Sequence, residues 1–131
     1  MKKLLALTAA AVAACAPTTP VELTAREQGE LNEALRGRVA GTPVNCVQTR
    51  DLLGNRSVGE GVILFEGRGG VVYVNRPAAG CPKIDSGRAL VTRTTSTQLC
   101  RGDIATVVDP VAGFTYGGCG LGDFVPYRRT N

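Results

Sequence analysis

The side chains of this chain that could do chemistry are few in kind: five cysteines, at positions 15, 46, 81, 100 and 119, eleven carboxylates, and no histidine. Without histidine the commonest general base and the commonest metal ligand are both missing, and every histidine-dependent triad is excluded. Among the carboxylates, Asp103 and Asp123 share a local pattern. Cys100-Arg101-Gly102-Asp103-Ile104 and Cys119-Gly120-Leu121-Gly122-Asp123-Phe124 each run from cysteine through glycine to aspartate and then an apolar residue. Were the two segments side by side, the pair could act as general acid and base or hold a hard cation. The simpler expectation is that each aspartate bonds the backbone of its own turn. The glycine-dense stretch Gly117-Gly118-Cys119-Gly120-Leu121-Gly122 has no helix after it, so it lacks the helix N-terminus that a phosphate cradle requires and is expected to form a disulfide loop. No cofactor is expected.

The first cysteine stands apart from the others. Met1-Lys2-Lys3 is followed by an apolar run, residues 4–14, interrupted only by Thr8. Eleven residues are too few to cross a hydrocarbon layer, which takes about 20, so the run has the form of a cleavable export signal. It ends Val12-Ala13-Ala14-Cys15, which resembles the lipobox of bacterial lipoproteins. The resemblance implies transfer of diacylglycerol to the Cys15 thiol, cleavage of residues 1–14 and acylation of the freed amine, with palmitate a typical chain. It further implies a lipid-anchored location in the cell envelope. Ala16, where sorting to the inner membrane would favour aspartate, points to the periplasmic face of the outer membrane in preference to the inner membrane.

With Cys15 assigned to lipid, Cys46, Cys81, Cys100 and Cys119 remain. An even number in an exported small domain reads as two disulfides. Their spacings of 35, 19 and 19 residues contain no C-x-x-C pair, which argues against structural zinc and against thioredoxin-like redox chemistry. Three connectivities are open. The expectation leans to Cys81 with Cys100, joining neighbouring strands, and Cys46 with Cys119, tying the first strand to the last.

These cysteines must be held by elements that the rest of the pattern supplies. Residues 15–23 carry two prolines and two threonines around little apolar surface, and read as the lipidated cysteine and a tether. One globular domain, 24–131, follows. Thr24-Ala25-Arg26-Glu27 fits a capping box opening a helix over 25–36, with Leu31 and Leu35 on one face and Gly37 as the stop. From 44 onward, short β-branched runs punctuated by glycine and proline predict strands at 44–49, 61–65, 71–75, 89–94 and 104–108, with a sixth at 124–127. Residues 66–70 make a hairpin turn. The fold class is therefore mainly β (α+β): a small twisted antiparallel sheet or partly closed barrel of five to six strands, spanning 44–129, with one N-terminal helix and two disulfides.

Charge narrows the function classes. Once Lys2 and Lys3 are removed, thirteen basic residues face eleven acidic ones, and twelve of the thirteen are arginines scattered from Arg26 to Arg129. Dispersed charge of this kind is a solvated surface, and no nucleic-acid partner is expected. Gly80-Cys81-Pro82, Cys100-Arg101-Gly102-Asp103 and Cys119 ahead of Phe124-Val125-Pro126-Tyr127 resemble short envelope proteins of Gram-negative bacteria, a resemblance that carries no functional residue with it. The expected function is a non-enzymatic binding or structural module, held to the membrane by its lipid and engaging an envelope protein or another envelope component. The alternatives are a carboxylate-based hydrolase using Asp103 and Asp123, and an inhibitor of an exogenous hydrolase presenting a rigid loop within residues 113–122.

Overall fold

The computed structural model describes Cys15, residues 19–84 and residues 87–130. The expected export signal, 1–14, and most of the first half of the expected tether lie outside the described residues. The tether's second half is not free of the domain. Leu23 packs on the core beneath the helix. Val21 lies so close to Gly61 and Gly80 that a Cβ at either would meet it within 2.8 Å. The domain thus begins near Val21, three residues before the predicted start.

The helix α1 (Ala25–Ala34) opens on the predicted capping box: the Glu27 amide donates to Thr24 Oγ1 at 3.3 Å and the Thr24 amide donates to Glu27 Oε2 at 2.8 Å. It stops two residues before the predicted end, and Gly37 at φ 72 turns the chain into β1 (Arg38–Ala40). Nine further strands follow: β2 (Cys46–Gln48), β3 (Leu52–Val58), β4 (Val62–Gly67), β5 (Val72–Asn75), β6 (Ala89–Thr92), β7 (Gln98–Cys100), β8 (Ile104–Val108), β9 (Thr115–Gly120) and β10 (Phe124–Arg129). The fold is mainly β with one helix and two disulfides, as predicted. Among the described residues the strands number ten, not five to six, and form three antiparallel sheets with no closed barrel.

The largest sheet has the order β1-β10-β5-β4-β3, so the two runs that are apolar on both faces, β4 and β5, are interior strands. On one face Val58, Val62, Leu64, Val72 and Val74 pack against Leu31, with Leu23, Ala34 and Leu35 around it. On the other, Ile63, Phe65 and Phe124 pack against Val47 and Leu99 from the β2-β7 pair and Leu90, Ala105, Val107 and Cys119 from the sheet β6-β8-β9. The molecule is therefore layered: helix, five-stranded sheet, then two small sheets. Phe124 anchors the second interface, its ring 5.4 Å from Phe65 and 6.4 Å from Tyr73, edge to face with the latter.

The disulfides join Cys46 to Cys100 and Cys81 to Cys119, which overturns the pairing favoured from sequence. The reason lies in register. Strands β2 and β7 pair antiparallel with Cys46 directly opposite Cys100, so their sulfurs meet across the ladder. Cys81 is fixed elsewhere, its amide donating to the Glu60 carbonyl at 2.7 Å, which sets its side chain in the core against Cys119 of β9. Loops of 54 and 38 residues closed in this way contribute about 4 kcal/mol each in the chain-entropy view.

Candidate binding surface

The two Cys-Gly-Asp segments do lie side by side. The Gly102 amide donates to the Leu121 carbonyl and the Leu121 amide to the Asp103 carbonyl, both at 2.9 Å. Their carboxylates nevertheless have separate tasks. Asp103 Oδ2 accepts the Cys100 amide at 2.7 Å, closing its own turn as expected. Asp123 departs from that expectation and faces Arg101, whose Nη1 lies 3.4 and 3.5 Å from its two oxygens. Neither is shared with the other, and among the described residues no three metal-ligating side chains gather. The turn that holds Asp123 is itself clamped from β5. Buried Asn75 donates through Nδ2 to the Gly122 carbonyl at 2.8 Å and accepts the Gly122 amide at 2.9 Å. A Cβ at Gly122 would meet the Arg76 carbonyl at 2.6 Å, so this approach admits only glycine. Cys15 is exposed with a free thiol.

The glycine-dense stretch is mostly strand, not loop. Most of it belongs to β9, the edge strand of the sheet β6-β8-β9, lying flat on β8 where a Cβ at Gly118 would meet Ile104 Cγ2 at 2.9 Å. The rigid loop predicted within 113–122 is consequently displaced: the segment that protrudes is the β8–β9 connection, centred on residues 109–114.

That hairpin tip is built by Asp109, which is not among the residues the sequence singles out. Asp109 Oδ1 accepts the amides of Val111 and Ala112, each at 2.9 Å. The Gly113 amide returns to the Asp109 carbonyl at 2.9 Å, with Gly113 at φ 76, and the Asp109 amide reaches the Phe114 carbonyl at 2.8 Å. The amides of Ala112 and Val111, and then the Arg88 charge, hold the Asp109 carboxyl below the usual carboxylate range. The signal was available in Asp109-Pro110-x-x-Gly113, an aspartate placed to cap a turn that a glycine closes.

What this tip presents is apolar. Residues 110–118 are nine consecutive exposed positions with no charged side chain among them. Val111 is 95% exposed and Phe114 65% exposed. Away from the tip, on the outer face of the same sheet, Ile104 at the far end of β8 is 58% exposed and Val91, opposite Thr106, is also exposed. Tyr116 stands at the base of the tip, with the Arg88 guanidinium 4.0 Å from its ring centroid. Isolated exposed apolar residues are ordinary, but Val111 and Phe114 together on one hairpin make this tip the candidate contact surface.

Elsewhere the clefts are less distinctive. The groove between the edge strands β3 and β6 is bridged by Asn55 Nδ2 to the Leu90 carbonyl and Ser57 Oγ to the Ile84 carbonyl, both at 3.4 Å. No helix among the described residues is long and apolar enough to cross a membrane. No protein-family model, curated protein or solved structure matches the chain.

Proposed function

We propose that this chain is a cell-envelope lipoprotein, exported on residues 1–14, acylated at Cys15 and held on the periplasmic face of the outer membrane, where its domain acts as a non-enzymatic binding module. The observation that carries the binding reading is the projecting β8–β9 hairpin, whose exposed residues 110–118 are uncharged. The export and anchoring parts rest on the lipobox Val12-Ala13-Ala14-Cys15 and agree with two disulfides, which persist in oxidising compartments. The hydrolase alternative is less well supported, since Asp103 is engaged by the Cys100 amide and Asp123 by Arg101.

Mass spectrometry of the protein recovered from membranes, before and after reduction, tests the anchor. The expected species begins at an acylated Cys15 and gains four hydrogens on reduction; a chain with its leader intact and five free thiols overturns the reading. A photo-crosslinking side chain at position 111 tests the binding surface in intact cells. An adduct with an envelope component is expected there, and failure to form any adduct removes the hairpin from consideration.

A further inference from the structure

We propose that the envelope component met by the β8–β9 hairpin is the lipid bilayer itself, into whose surface residues 110–114 insert, so that the domain rests against the membrane at two points. This inference rests on the anchored reading above and adds to it an orientation. Apart from the Asp109 carboxylate that caps the turn at its base, the tip suits an apolar medium. Pro110, Val111, Ala112, Gly113 and Phe114 carry no charge. Pro110 has no amide hydrogen, and the amides of Val111, Ala112 and Gly113 are already bonded to Asp109 within the turn. A loop entering lipid must satisfy its backbone donors internally, because no water is there to do so. Behind the tip, Tyr116 and the guanidinium stacked on it lie where an amphipathic ring and a cation would meet the headgroups.

The tether puts a bilayer within reach of the tip. From Cys15 to Val21 the chain has six peptide units and reaches at most about 21 Å. Val21 packs beside Gly80, the neighbour of Cys81, and Cys81 is bonded to Cys119 near the far end of β9. Along that strand Phe114 and Cys119 are about 17 Å apart. The tether root and the hairpin tip are thus at opposite ends of one uncharged edge strand, and the tether allows this strand to lie along the membrane. Tethering also raises the effective concentration of the tip at the bilayer to the millimolar range, so two apolar side chains suffice where a free protein would need many.

The chain contains no tryptophan, so F114W introduces a single fluorophore at an exposed position. The acylated protein carrying F114W is reconstituted in vesicles of phosphatidylethanolamine and phosphatidylglycerol, with V39W, on the edge strand β1, as the reference. Flotation with the vesicles reports the anchor; fluorescence reports the hairpin. The expected result is a blue-shifted F114W emission quenched by brominated acyl chains, with V39W water-like and unquenched. Adding V111D to F114W should restore a hydrated emission while flotation persists. A floating, acylated F114W protein whose emission stays hydrated and unquenched overturns the insertion and leaves the anchor standing, even if a protein extract then shifts the emission. A protein that proves to be unacylated overturns the anchored reading separately, and with it the tethering argument.

Discussion

The two faces of the five-stranded sheet are covered by unequal means. One is roofed by a single ten-residue helix with one fully buried side chain, Leu31. The other is roofed by two small sheets whose Leu99 and Val107 pack with the five-stranded sheet's own Phe124 in one core, where Cys81 and Cys119 are also joined. A helix of that length is marginal alone and holds its place only through its apolar stripe, whereas the opposite roof is restrained covalently. The difference teaches where the domain is firm. The hairpin proposed to work belongs to the covalently restrained side, and the helix side is held by packing alone.

This contrast can be broken in order of expected size. Phe124→Ala empties the centre of the larger core and should cost about 3 to 5 kcal/mol in chemical denaturation, a large share of the stability of an ordinary domain. Replacing Cys81 and Cys119 together by alanine should cost about 2 to 5 kcal/mol, read as a lower denaturation midpoint that added reductant shifts less than it shifts the parent. Leu31→Ala should cost about 2 to 3 kcal/mol, because the helix can settle partly into the space it leaves; hydrogen exchange should quicken in α1 while β8 stays protected. A loss that spread equally to both roofs would remove the contrast.

The smallest effect is local and depends on pH. The Asp109 carboxyl is lowered in the folded chain, so its contribution to the tip is complete at neutral pH and disappears only as pH falls through that lowered value. Protection of the Val111 and Ala112 amides, taken relative to their intrinsic exchange rates, should therefore hold down to the usual carboxylate range and fall below it, with the rest of the sheet unaffected. Asp109→Ala should show the same loss of protection at neutral pH.

Much of this architecture was legible from residue pattern. The capping box placed the helix start, and strand β8 has the predicted bounds because β-branched residues run between a glycine-aspartate turn and Asp109-Pro110. Strands β4 and β5 were legible as interior because they are apolar on both faces. Strands β1, β3, β7 and β9 were not, for identifiable reasons. β1 and β7 are three residues long. β3 is an edge strand with Gly54, Asn55 and Arg56 mostly in water and a bulge between Leu52 and Gly54. β9 is glycine-rich, and its strand conformation is imposed by pairing with β8, not by propensity. The disulfide pairing was hidden for the same reason, since it follows from the register of β2 on β7, and β7 is among the strands that local pattern does not reveal. At the surface, the uncharged run 110–118 is visible in the sequence, but its exposure depends on the turn that Asp109 builds.

The order of the cysteine partners has a consequence for how the chain matures. The bonds 46–100 and 81–119 interleave, each opening before the other closes. On the export route proposed above, the polypeptide emerges amino end first, Cys46 and Cys81 are both available while Cys100 is still to come, and an oxidase acting on neighbours in order of appearance joins the wrong pair. Reaching the final covalent state then requires thiol–disulfide exchange after most of the chain has appeared. Maturation of this small domain is for that reason expected to depend on an isomerase, and to stall with mispaired thiols in cells that have an oxidant alone.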